Sequence, residues 1–281
     1  MSDPLIRNVS DTALWVAMYR ALESERPDAL FRDPFARRLA GERGQQILNS
    51  IPDKHRHSWA YSMRTYLFDH FLQQEIDAGA DMVINLAAGL DARPYRMQLP
   101  PTLQWIDIDL PDLIEYKQTI LADAKPACRV ERVALDLAGL TARREIFARL
   151  GARAKKAVIM SEGLIIYLNP EEVATLAGDL AAQTSFQRWI TDLASPGLKR
   201  MIEKQVGRQL EGAGAPLKFA PPEGPPIFEK YGWRVLDIEP TLQAAARLKR
   251  VGLFFRLIAR LPVSKGKQGS QPWSATILLG K

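Results

Sequence analysis

The 281-residue sequence predicts an α/β fold built on a doubly wound, mostly parallel sheet. Two observations support this prediction. Short apolar segments alternate with helical patterns along most of the chain, which is typical of parallel strands joined by crossover helices. The first apolar segment also runs into a turn of small residues, Ala87 to Gly89, as is common where such a sheet binds a ligand.

Seven strands follow from the alternation, and we place them at residues 82–86, 104–108, 129–135, 157–160, 186–193, 233–238 and 275–279. Helices are expected from Asp91, from Pro111, over residues 141–150, and from Pro170 to about residue 183. The last helix has a strong start, because Asn169 can cap it and Glu172 can complete a capping box.

The end of the second predicted strand carries two carboxylates, Asp107 and Asp109. In nucleoside-binding α/β folds, the acid that grips the ribose hydroxyls lies about 20 residues beyond the small-residue turn. Gly89 and Asp109 have this separation. The turn and the acid together predict a nucleoside cofactor.

The small number of glycines in this turn indicates which nucleoside binds. A dinucleotide site needs several glycines, because a pyrophosphate rests on the helix N-terminus. The segment Ala87-Ala88-Gly89 has one glycine and is soon followed by Asp91. A carboxylate there repels a phosphate and suits the sulfonium cation of S-adenosylmethionine, although Asp91 is equally well placed to cap the helix.

The predicted strands and helices divide the chain into four parts of one domain. Helical patterns precede the first strand at residues 11–25, 34–40 and 53–77. A Pro/Gly-rich stretch after residue 195 interrupts the alternation and suits either a mobile lid or a plain connector. The single domain 1–281 therefore comprises a helical cap with a lead-in helix (1–80), a cofactor-binding core (81–195), a lid insertion (196–226) and the C-terminal part of the sheet (227–281).

Five ordered motifs resemble a known family. They are MRTYLFD, NLAAGLDARPYR, WIDIDLP, the pair Asp136-Leu137, and SEGLIIYL. In order and spacing they are similar to the leucine carboxyl methyltransferase-like family of S-adenosylmethionine-dependent methyltransferases, and more closely to its bacterial branch of O-methyltransferases, some of which act on polyketides. The resemblance covers roughly residues 7–195 and implies a seven-stranded, Rossmann-like methyltransferase sheet.

The resemblance implies a role for each motif in binding S-adenosyl-L-methionine. Arg64 would hold the methionine carboxylate, for which a guanidinium offers a planar fork of donors. Asp109, in preference to Asp107, would bind the ribose diol, and Glu162 would face the ammonium or sulfonium end. The predicted cofactor-binding residues are Arg64, Ala87, Gly89, Asp91, Asp109, Asp136, Leu137 and Glu162.

Each of these residues also has a purely structural interpretation. An arginine on a helix is often only solvated, and an acid at the end of a strand is often a loop or helix-cap residue. For Asp136-Leu137 the functional interpretation is that the acid accepts from the adenine amine while the Leu137 amide donates to a ring nitrogen. Glu162 could instead be a buried acid paired for stability.

Composition and charge limit the partners. The net charge of +6 and the pI near 9.4 permit an acidic partner, but the cations are dispersed and are not interleaved with aromatic residues. We therefore expect no nucleic acid partner. Without an apolar segment of membrane-spanning length or a signal core, the protein is expected to be cytoplasmic, with no stable membrane insertion. The single cysteine, Cys128, excludes an internal disulfide, and the oligomeric state stays open.

The sequence contains no evident metal site or nucleophile. Its histidines are His55, His57 and His70, and the first two have no carboxylate or cysteine partner at ligand spacing, so we interpret them as a surface pair. The catalytic residues stay unknown. Methyl transfer from a sulfonium needs alignment and exclusion of water rather than a metal.

The scarcity of bases constrains the methyl acceptor. A carboxylate is already ionised at neutral pH, whereas a phenol or alcohol benefits from a positioned base. We therefore expect a small-molecule acceptor whose reacting group is a carboxylate or an acidic phenol, unless an Asp, Glu or Tyr serves as the base. Tyr19, Arg20 and Tyr167 are candidates for lining the acceptor pocket, with ordinary packing as the alternative.

Residues 241–261 mix cations with Leu, Phe and Ile at near-helical spacing. Such a segment could lie on a membrane surface or cover an apolar substrate. We favour a helix packed on the sheet with its arginines extending into solvent.

These observations predict an S-adenosylmethionine-dependent O-methyltransferase acting on a small molecule, for which polyketides are one precedent, or on a peptide C-terminus. A catalytically silent module that binds the cofactor as a sensor is one alternative. A nucleotide-dependent oxidoreductase is another, which the single glycine of the turn disfavours.

Overall fold

The computed structural model describes residues 10–51, 58–212, 214–261, 269 and 271–281. A seven-stranded sheet with strand order β3-β2-β1-β4-β5-β7-β6 forms its centre. Strands β1 to β5 run parallel to one another, and β7 is antiparallel to both β5 and β6. The strands are β1 Met82–Leu86, β2 Gln104–Asp109, β3 Arg129–Ala134, β4 Ala157–Ser161, β5 Phe186–Ala194, β6 Arg234–Pro240 and β7 Ser274–Gly280.

The sheet agrees with the predicted fold class, and every predicted strand is present with its ends shifted by at most two residues. The central strands β1 and β4 are buried along their whole length. Alternate residues of β1 enter different cores: Met82, Ile84 and Leu86 pack on one face, and Val83 packs on the other. Helices therefore cover both faces, as continuous apolar strands require.

The helices between the strands are close to those predicted, with one exception. The helix expected from Asp91 is a single turn that begins at Arg93, after a non-helical Ala92. Pro94 lies inside this turn, and Met97 returns to an extended conformation. This single turn is α4, Arg93–Arg96. The other helices of the core are α5 Pro111–Ile120, α6 Leu140–Arg153 and α7 Pro170–Ala181.

The predicted capping box of α7 is present. The Asn169 side chain accepts from the backbone N–H of Glu172 at 2.8 Å, and the Glu172 side chain accepts from the backbone N–H of Asn169 at 2.7 Å. This reciprocal pair satisfies two of the donors that a helix start leaves free.

Three helices precede the sheet: α1 Ser10–Ser24, α2 Ala36–Ser50 and α3 Ser58–Asp77. The second is longer than the predicted 34–40, because the chain passes through a kink at Gly41 (φ 59°) and stays helical beyond it. Close packing of α1 on α2 needs Gly44, where an added Cβ would lie 3.0 Å from the Leu14 carbonyl oxygen. His55 and His57, interpreted above as a surface pair, lie outside the described residues.

The region predicted as a lid begins with α8, Pro196–Gly212. The following chain is held by the carbonyl oxygen of Ile166, which accepts from the backbone N–H groups of Lys218 (2.7 Å) and Phe219 (3.1 Å). A 3-10 helix, Pro225–Tyr231, then leads into β6. The division into cap, core and lid stays a proposal.

The prediction of one helix across residues 241–261 is wrong. The segment forms two short helices, α9 Thr241–Arg247 and α10 Leu253–Ile258, because Lys249 takes a left-handed conformation (φ 58°) between them. The apolar side chains of α10 are exposed rather than packed on the sheet, with Leu253 70% and Phe254 69% accessible.

The expectation for the arginines of this segment also fails at one position. Arg250 does not extend into solvent: its side chain is 6% exposed and pairs with Glu23 at 3.0 Å. It also contacts Asp28 at 2.9 Å. The turn between α9 and α10 is therefore bound to the last turn of α1 and to the chain that follows it. Across the described ranges, no helix has the length and apolar character needed to cross a bilayer.

Candidate functional site

A cavity of about 460 Å³ opens at the carboxyl ends of the parallel strands. The chain after β1, the end of β2, the chain after β4 and the end of β5 contribute to its floor, and α1, α3 and α8 contribute to its walls. Its volume lies within the range of small-molecule sites, and its position is where open α/β sheets bind ligands. Among the predicted residues, the cavity is lined by Tyr19, Arg20, Arg64, Ala87, Gly89, Asp91, Asp109, Glu162 and Tyr167.

The end of β2 separates the two candidate acids. Asp109 faces the cavity, where its two carboxylate oxygens accept from the backbone N–H groups of Gly89 (2.6 Å) and Leu110 (2.7 Å). Asp107 is fully buried and accepts from Lys117 Nζ at 2.7 Å, away from the cavity lining. The preference for Asp109 over Asp107 therefore agrees with the position of both side chains.

Burial raises the pKa of Asp109 above its ordinary value, and the hydrogen bonds from Gly89 and Leu110 oppose that rise. Each of its oxygens has further acceptor capacity, since an ionised carboxylate has about four lone-pair sites. Ribose hydroxyls entering this end of the cavity would meet an acceptor already oriented by the backbone.

The turn before this acid has the conformation expected for close approach of a ligand. Ala87 and Gly89 both have positive φ angles, 50° and 51°. Such angles are uncommon outside glycine, and Ala87 is one of two non-glycine residues with this conformation in the described chain. The turn directs the Gly89 N–H toward Asp109 and leaves the cavity floor free of large side chains.

Asp91 is not the N-cap of a helix. Its oxygens accept from the Arg93 backbone N–H at 2.8 Å and from Arg93 Nη1 at 2.7 Å. Asn85 Nδ2 donates to the same carboxylate at 3.0 Å. Burial alone would raise the pKa of Asp91, but Arg93 and Lys117 outweigh it and hold that pKa well below its usual range. The carboxylate is thus a fixed negative charge under the turn.

Arg93 links the acids of this region, which the sequence did not predict. Its side chain is 3% exposed and contacts Asp69 (2.6 Å), Asp91 (2.7 Å) and Glu162 (2.8 Å). Three carboxylates from separate parts of the chain thereby share one guanidinium. Only the folded chain brings these residues together, so local spacing carried no signal for the network.

Arg64 extends from α3 to two acids of the cavity. Its Nε lies 3.2 Å from Glu162 Oε1, and its Nη1 lies 3.5 Å from Asp192 Oδ2. Burial alone would lower the pKa of Arg64, but Asp192 and Glu162 outweigh it and raise that pKa, so the guanidinium stays charged. Gly163 has a φ of +69° and leaves room for Arg64, since an added Cβ would lie 3.0 Å from Nη1.

Asp192 is a site residue that sequence reasoning missed. It lies near the end of β5, lines the cavity, and accepts from the Gly163 backbone N–H at 2.7 Å. The signal was available, because Asp109 was found from the same feature, an acid at the carboxyl end of a parallel strand. The acids predicted from the sequence lie at or after the ends of β1 to β4 only.

The structure does not bring Asp136 and Leu137 into the cavity lining. Asp136 is exposed and accepts from the backbone N–H of Ala138 at 2.9 Å, and the Leu137 carbonyl oxygen accepts from Arg143 Nη1 at 3.0 Å. Their predicted contact with adenine stays a prediction.

The predicted acceptor residues lie on the cavity wall. Tyr19 stacks on Tyr61 with ring centroids 4.6 Å apart, and Trp15 lies 5.5 Å from Tyr61. The Arg20 guanidinium binds other parts of the protein: it pairs with Asp33 at 2.9 Å and donates to the Leu90 carbonyl oxygen at 2.6 Å. Within the described chain, no group of three His, Cys, Asp or Glu side chains is arranged to hold a metal ion.

Comparison with known proteins agrees with this geometry. A model of the leucine carboxyl methyltransferase family matches residues 13–181. The chain is 32% identical over 265 residues to a protein of Parafrankia sp. (strain EAN1pec), covering 86% of this chain and 82% of that one. It is 32% identical over 239 residues to a protein of Streptomyces coelicolor, covering 79% and 82%. Both relatives carry the provisional name S-adenosyl-L-methionine-dependent methyltransferase.

Solved structures show the same fold at low sequence identity. A provisionally named methyltransferase from Thermobifida fusca has a TM-score of 0.58 at 14% identity, covering 99% of this chain and 96% of that one. A DUF574 family protein from Streptomyces avermitilis has a TM-score of 0.55 at 10% identity, covering 95% and 96%. The fold together with the family model and the relatives defines the class, a Rossmann-like methyltransferase. The chain belongs to the leucine carboxyl methyltransferase family.

Proposed function

We propose that the protein is an S-adenosyl-L-methionine-dependent O-methyltransferase that acts on a carboxylate or an acidic phenol of a small molecule, with a peptide C-terminus as the other form of acceptor. S-adenosyl-L-methionine is the cofactor, as in the curated relatives. It supplies a methyl group carried on a sulfonium, which is transferred by displacement.

One observation carries the proposal: a single cavity joins a polar end to an apolar, aromatic end. The polar end holds Gly89, Asp109, Arg64 and Glu162. The other end extends along Trp15, Tyr19, Tyr61 and Tyr167 and beneath α8. A site for the cofactor alone would not need the apolar, aromatic end, whereas a transferase must align an acceptor with the donor.

The residues of the polar end fit the cofactor chemically. Asp109 offers carboxylate oxygens to a diol, and Arg64 offers a charged fork to a carboxylate. Glu162 and Asp91 place negative charge where an ammonium or a sulfonium would lie. The turn at Gly89 leaves space for a nucleoside but provides no glycine-rich cradle for a pyrophosphate.

The remaining task of the chain is to exclude water and to align the acceptor. Trp15 and Tyr61 offer flat apolar surfaces on which an aromatic acceptor can rest. From α8, Leu198, Met201 and Ile202 cover the same space. Such a cover favours transfer to the acceptor over hydrolysis.

Calorimetry tests the cofactor assignment. We expect micromolar binding of S-adenosylmethionine and S-adenosylhomocysteine and no comparable binding of NAD. Transfer of a labelled methyl group to an acceptor then distinguishes the enzyme from a sensor, which would bind both nucleosides without turnover. Tight NAD binding without S-adenosylhomocysteine binding would contradict the proposal in favour of an oxidoreductase.

A further inference from the structure

Two polar side chains of the cavity were not predicted from the sequence and have no proposed contact with the cofactor itself. Asp192 on β5 and Thr276 on β7 are directly opposite each other in the antiparallel ladder, so their side chains leave the same face of the sheet. Both line the cavity. They form a pair where the reversed strand β7 meets the parallel part of the sheet.

One oxygen of the Asp192 carboxylate already accepts a hydrogen bond, and the other can accept from a further donor. Oδ1 accepts from the Gly163 N–H at 2.7 Å. Oδ2 lies 3.5 Å from Arg64 Nη1, beyond the usual length of about 2.7–2.9 Å for a charge-assisted hydrogen bond. The side chain keeps 20% of its surface accessible, on the cavity side.

Thr276 is 1% exposed, and its hydroxyl has no hydrogen-bond partner among the residues that the structure describes. Buried hydroxyl groups are almost always paired, because leaving one unpaired costs free energy. A polar group of a bound ligand would pair this hydroxyl once the Thr276 side chain rotates toward the cavity that the residue lines.

The tyrosines of the acceptor end and the neighbouring Glu162 are poor bases. Burial raises the pKa of Tyr19, Tyr61 and Tyr167, so these phenols stay protonated at neutral pH. Burial alone would raise the pKa of Glu162, but Arg93 and Arg64 outweigh it and hold that pKa below its usual range. For Asp192, burial raises the pKa and Arg64 opposes the rise only in part.

The cations of the cavity are already paired with protein carboxylates. Arg20 is bound to Asp33 at 2.9 Å. Arg93 and Arg64 are bound to the acids of the cofactor end and to Asp192. Of the three arginines among the described lining residues, Arg20 and Arg93 are paired with protein acids, and Arg64 is the proposed partner of the cofactor's own carboxylate, so an acceptor carboxylate would have no cation of its own. Such a carboxylate would also approach Asp192 and Glu162, which repel it.

We propose that the acceptor is an uncharged aromatic hydroxyl and that Asp192 is the general base that activates it, with Thr276 holding a neighbouring oxygen of the same compound. This inference rests on the proposed O-methyltransferase activity and narrows its acceptor class. As the acceptor O–H bond breaks, its proton passes to Asp192 Oδ2. The acceptor oxygen bonds to the methyl carbon, and the sulfur keeps the electron pair of the broken S–C bond, leaving S-adenosylhomocysteine.

Matched probes test the acceptor class. The pairs 1-naphthol with 1-naphthoate and 2-naphthol with 2-naphthoate differ only in the reacting group, and both naphthols are uncharged at neutral pH. With S-adenosylhomocysteine bound, calorimetry should show the hydroxyl member of each pair binding at least 10-fold more tightly. Tighter binding of the carboxylates, or no binding of either hydroxyl probe, would overturn the proposal. Failure of S-adenosylhomocysteine itself to bind would instead count against the O-methyltransferase assignment.

The variant Asp192→Asn tests the base, with Asp237→Asn on the exposed edge strand β6 as the matched control. We expect Asp192→Asn to lose about 100-fold or more of kcat with the better hydroxyl probe, since general bases contribute about 10²–10⁴-fold. Because Asp192 also contacts Arg64, kcat is measured at saturating cofactor, with the affinity for S-adenosylhomocysteine determined separately. Loss of less than 3-fold in kcat would overturn the assignment.

The pH profile separates a base from a residue that only positions the acceptor. In the wild type, kcat/KM should rise with pH as Asp192 ionises, and Asp192→Asn should lose this limb. The charged and titratable groups that face Asp192 are Arg64 from α3, Glu162 after β4 and Tyr167. The pKa values of Arg64 and Tyr167 are raised, so these groups do not titrate over the acid limb of the profile. The pKa of Glu162 is lowered, whereas that of Asp192 is raised. An unchanged acid limb in Asp192→Asn would exclude Asp192 as the base.

Discussion

The backbone N–H of Gly89 donates to Oδ2 of Asp109 at 2.6 Å and so joins the turn after β1 to the end of β2. The bond fixes the carboxylate at the cavity edge while the turn stays open to a ligand. The two features that predicted a nucleoside site are therefore in direct contact. Their joint role can be tested one residue at a time.

Asp109→Ala should weaken binding of S-adenosylhomocysteine by about 10- to 150-fold. The change removes the acceptor proposed for the ribose diol, and hydrogen bonds to charged groups contribute about 1.5–3 kcal/mol. Calorimetry at neutral pH measures the loss, and Asp237→Ala serves as the surface control. An affinity within about 2-fold of wild type would show that Asp109 does not bind the ribose.

Asp107→Asn should affect stability instead of affinity. The pair formed by Asp107 and Lys117 is fully buried, with 2.7 Å between Oδ2 and Nζ. Removing one charge leaves the other buried without compensation, which typically costs about 3–5 kcal/mol of unfolding free energy. Urea unfolding should show this loss, while the folded variant binds S-adenosylhomocysteine as wild type does. The opposite pattern would mean that Asp107, not Asp109, faces the cofactor.

Thr276→Val should stabilise the protein. The Thr276 hydroxyl is buried and unpaired within the described chain, and valine keeps the shape of the side chain without the polar group. Relief of the desolvation penalty should add about 1 kcal/mol or more to the unfolding free energy. The same variant should bind the hydroxyl probes more weakly. A loss of stability would indicate that the hydroxyl has a partner in the native protein, such as a bound water.

Glu162→Gln should destabilise the protein in a pH-dependent way. Because Arg93 and Arg64 hold the pKa of Glu162 below its unfolded value, ionised Glu162 stabilises the fold above that unfolded value, about 4.3. The stabilisation is lost as pH falls through the folded pKa. The gap in unfolding free energy between wild type and variant should therefore be largest near neutrality and narrow below about pH 4. A gap that widens on acidification would reverse the sign assigned to this shift.

The fold was largely predictable because its signals are local. Short strand-like segments that alternate with helical patterns predicted the strands, and Asn169 with Glu172 predicted the start of α7. The helical pattern of residues 241–261 predicted one helix, which is wrong. Side-chain spacing does not report the left-handed conformation of Lys249 that separates the two short helices. The position of Arg250 depends on Glu23, more than 200 residues away, and no local pattern reports such a partner.

The site was predictable where a residue lies at the end of a strand, as Asp109 does, or directly after one, as Glu162 does. It was not predictable where the chemistry depends on pairs formed across the sheet. Asp192 lies near the end of its strand and carried the same signal as Asp109, but its pairing with Thr276 exists only because β7 inserts antiparallel beside β5. Similarly, Arg93 gains its three acidic partners from α3, the turn after β1 and the chain after β4.

The cap and the region after β5 should become less mobile when the ternary complex forms. Both α1 and α8 line the cavity, so an acceptor must pass them to reach the methyl donor. Once it is bound, exclusion of water requires them to close over it. Hydrogen exchange should therefore slow in residues 10–24 and 196–226 when S-adenosylhomocysteine and 1-naphthol are bound together.

The internal reference for this measurement is α6, Leu140–Arg153, which does not line the cavity. Its exchange should change little, as should that of the buried strands β1 and β4. S-adenosylhomocysteine alone should protect the turn at Gly89 more than α8, because the nucleoside would occupy the polar end. Equal exchange in α1 and α8 with and without ligands, while calorimetry shows the complex to be formed, would mean that the acceptor enters a rigid pocket.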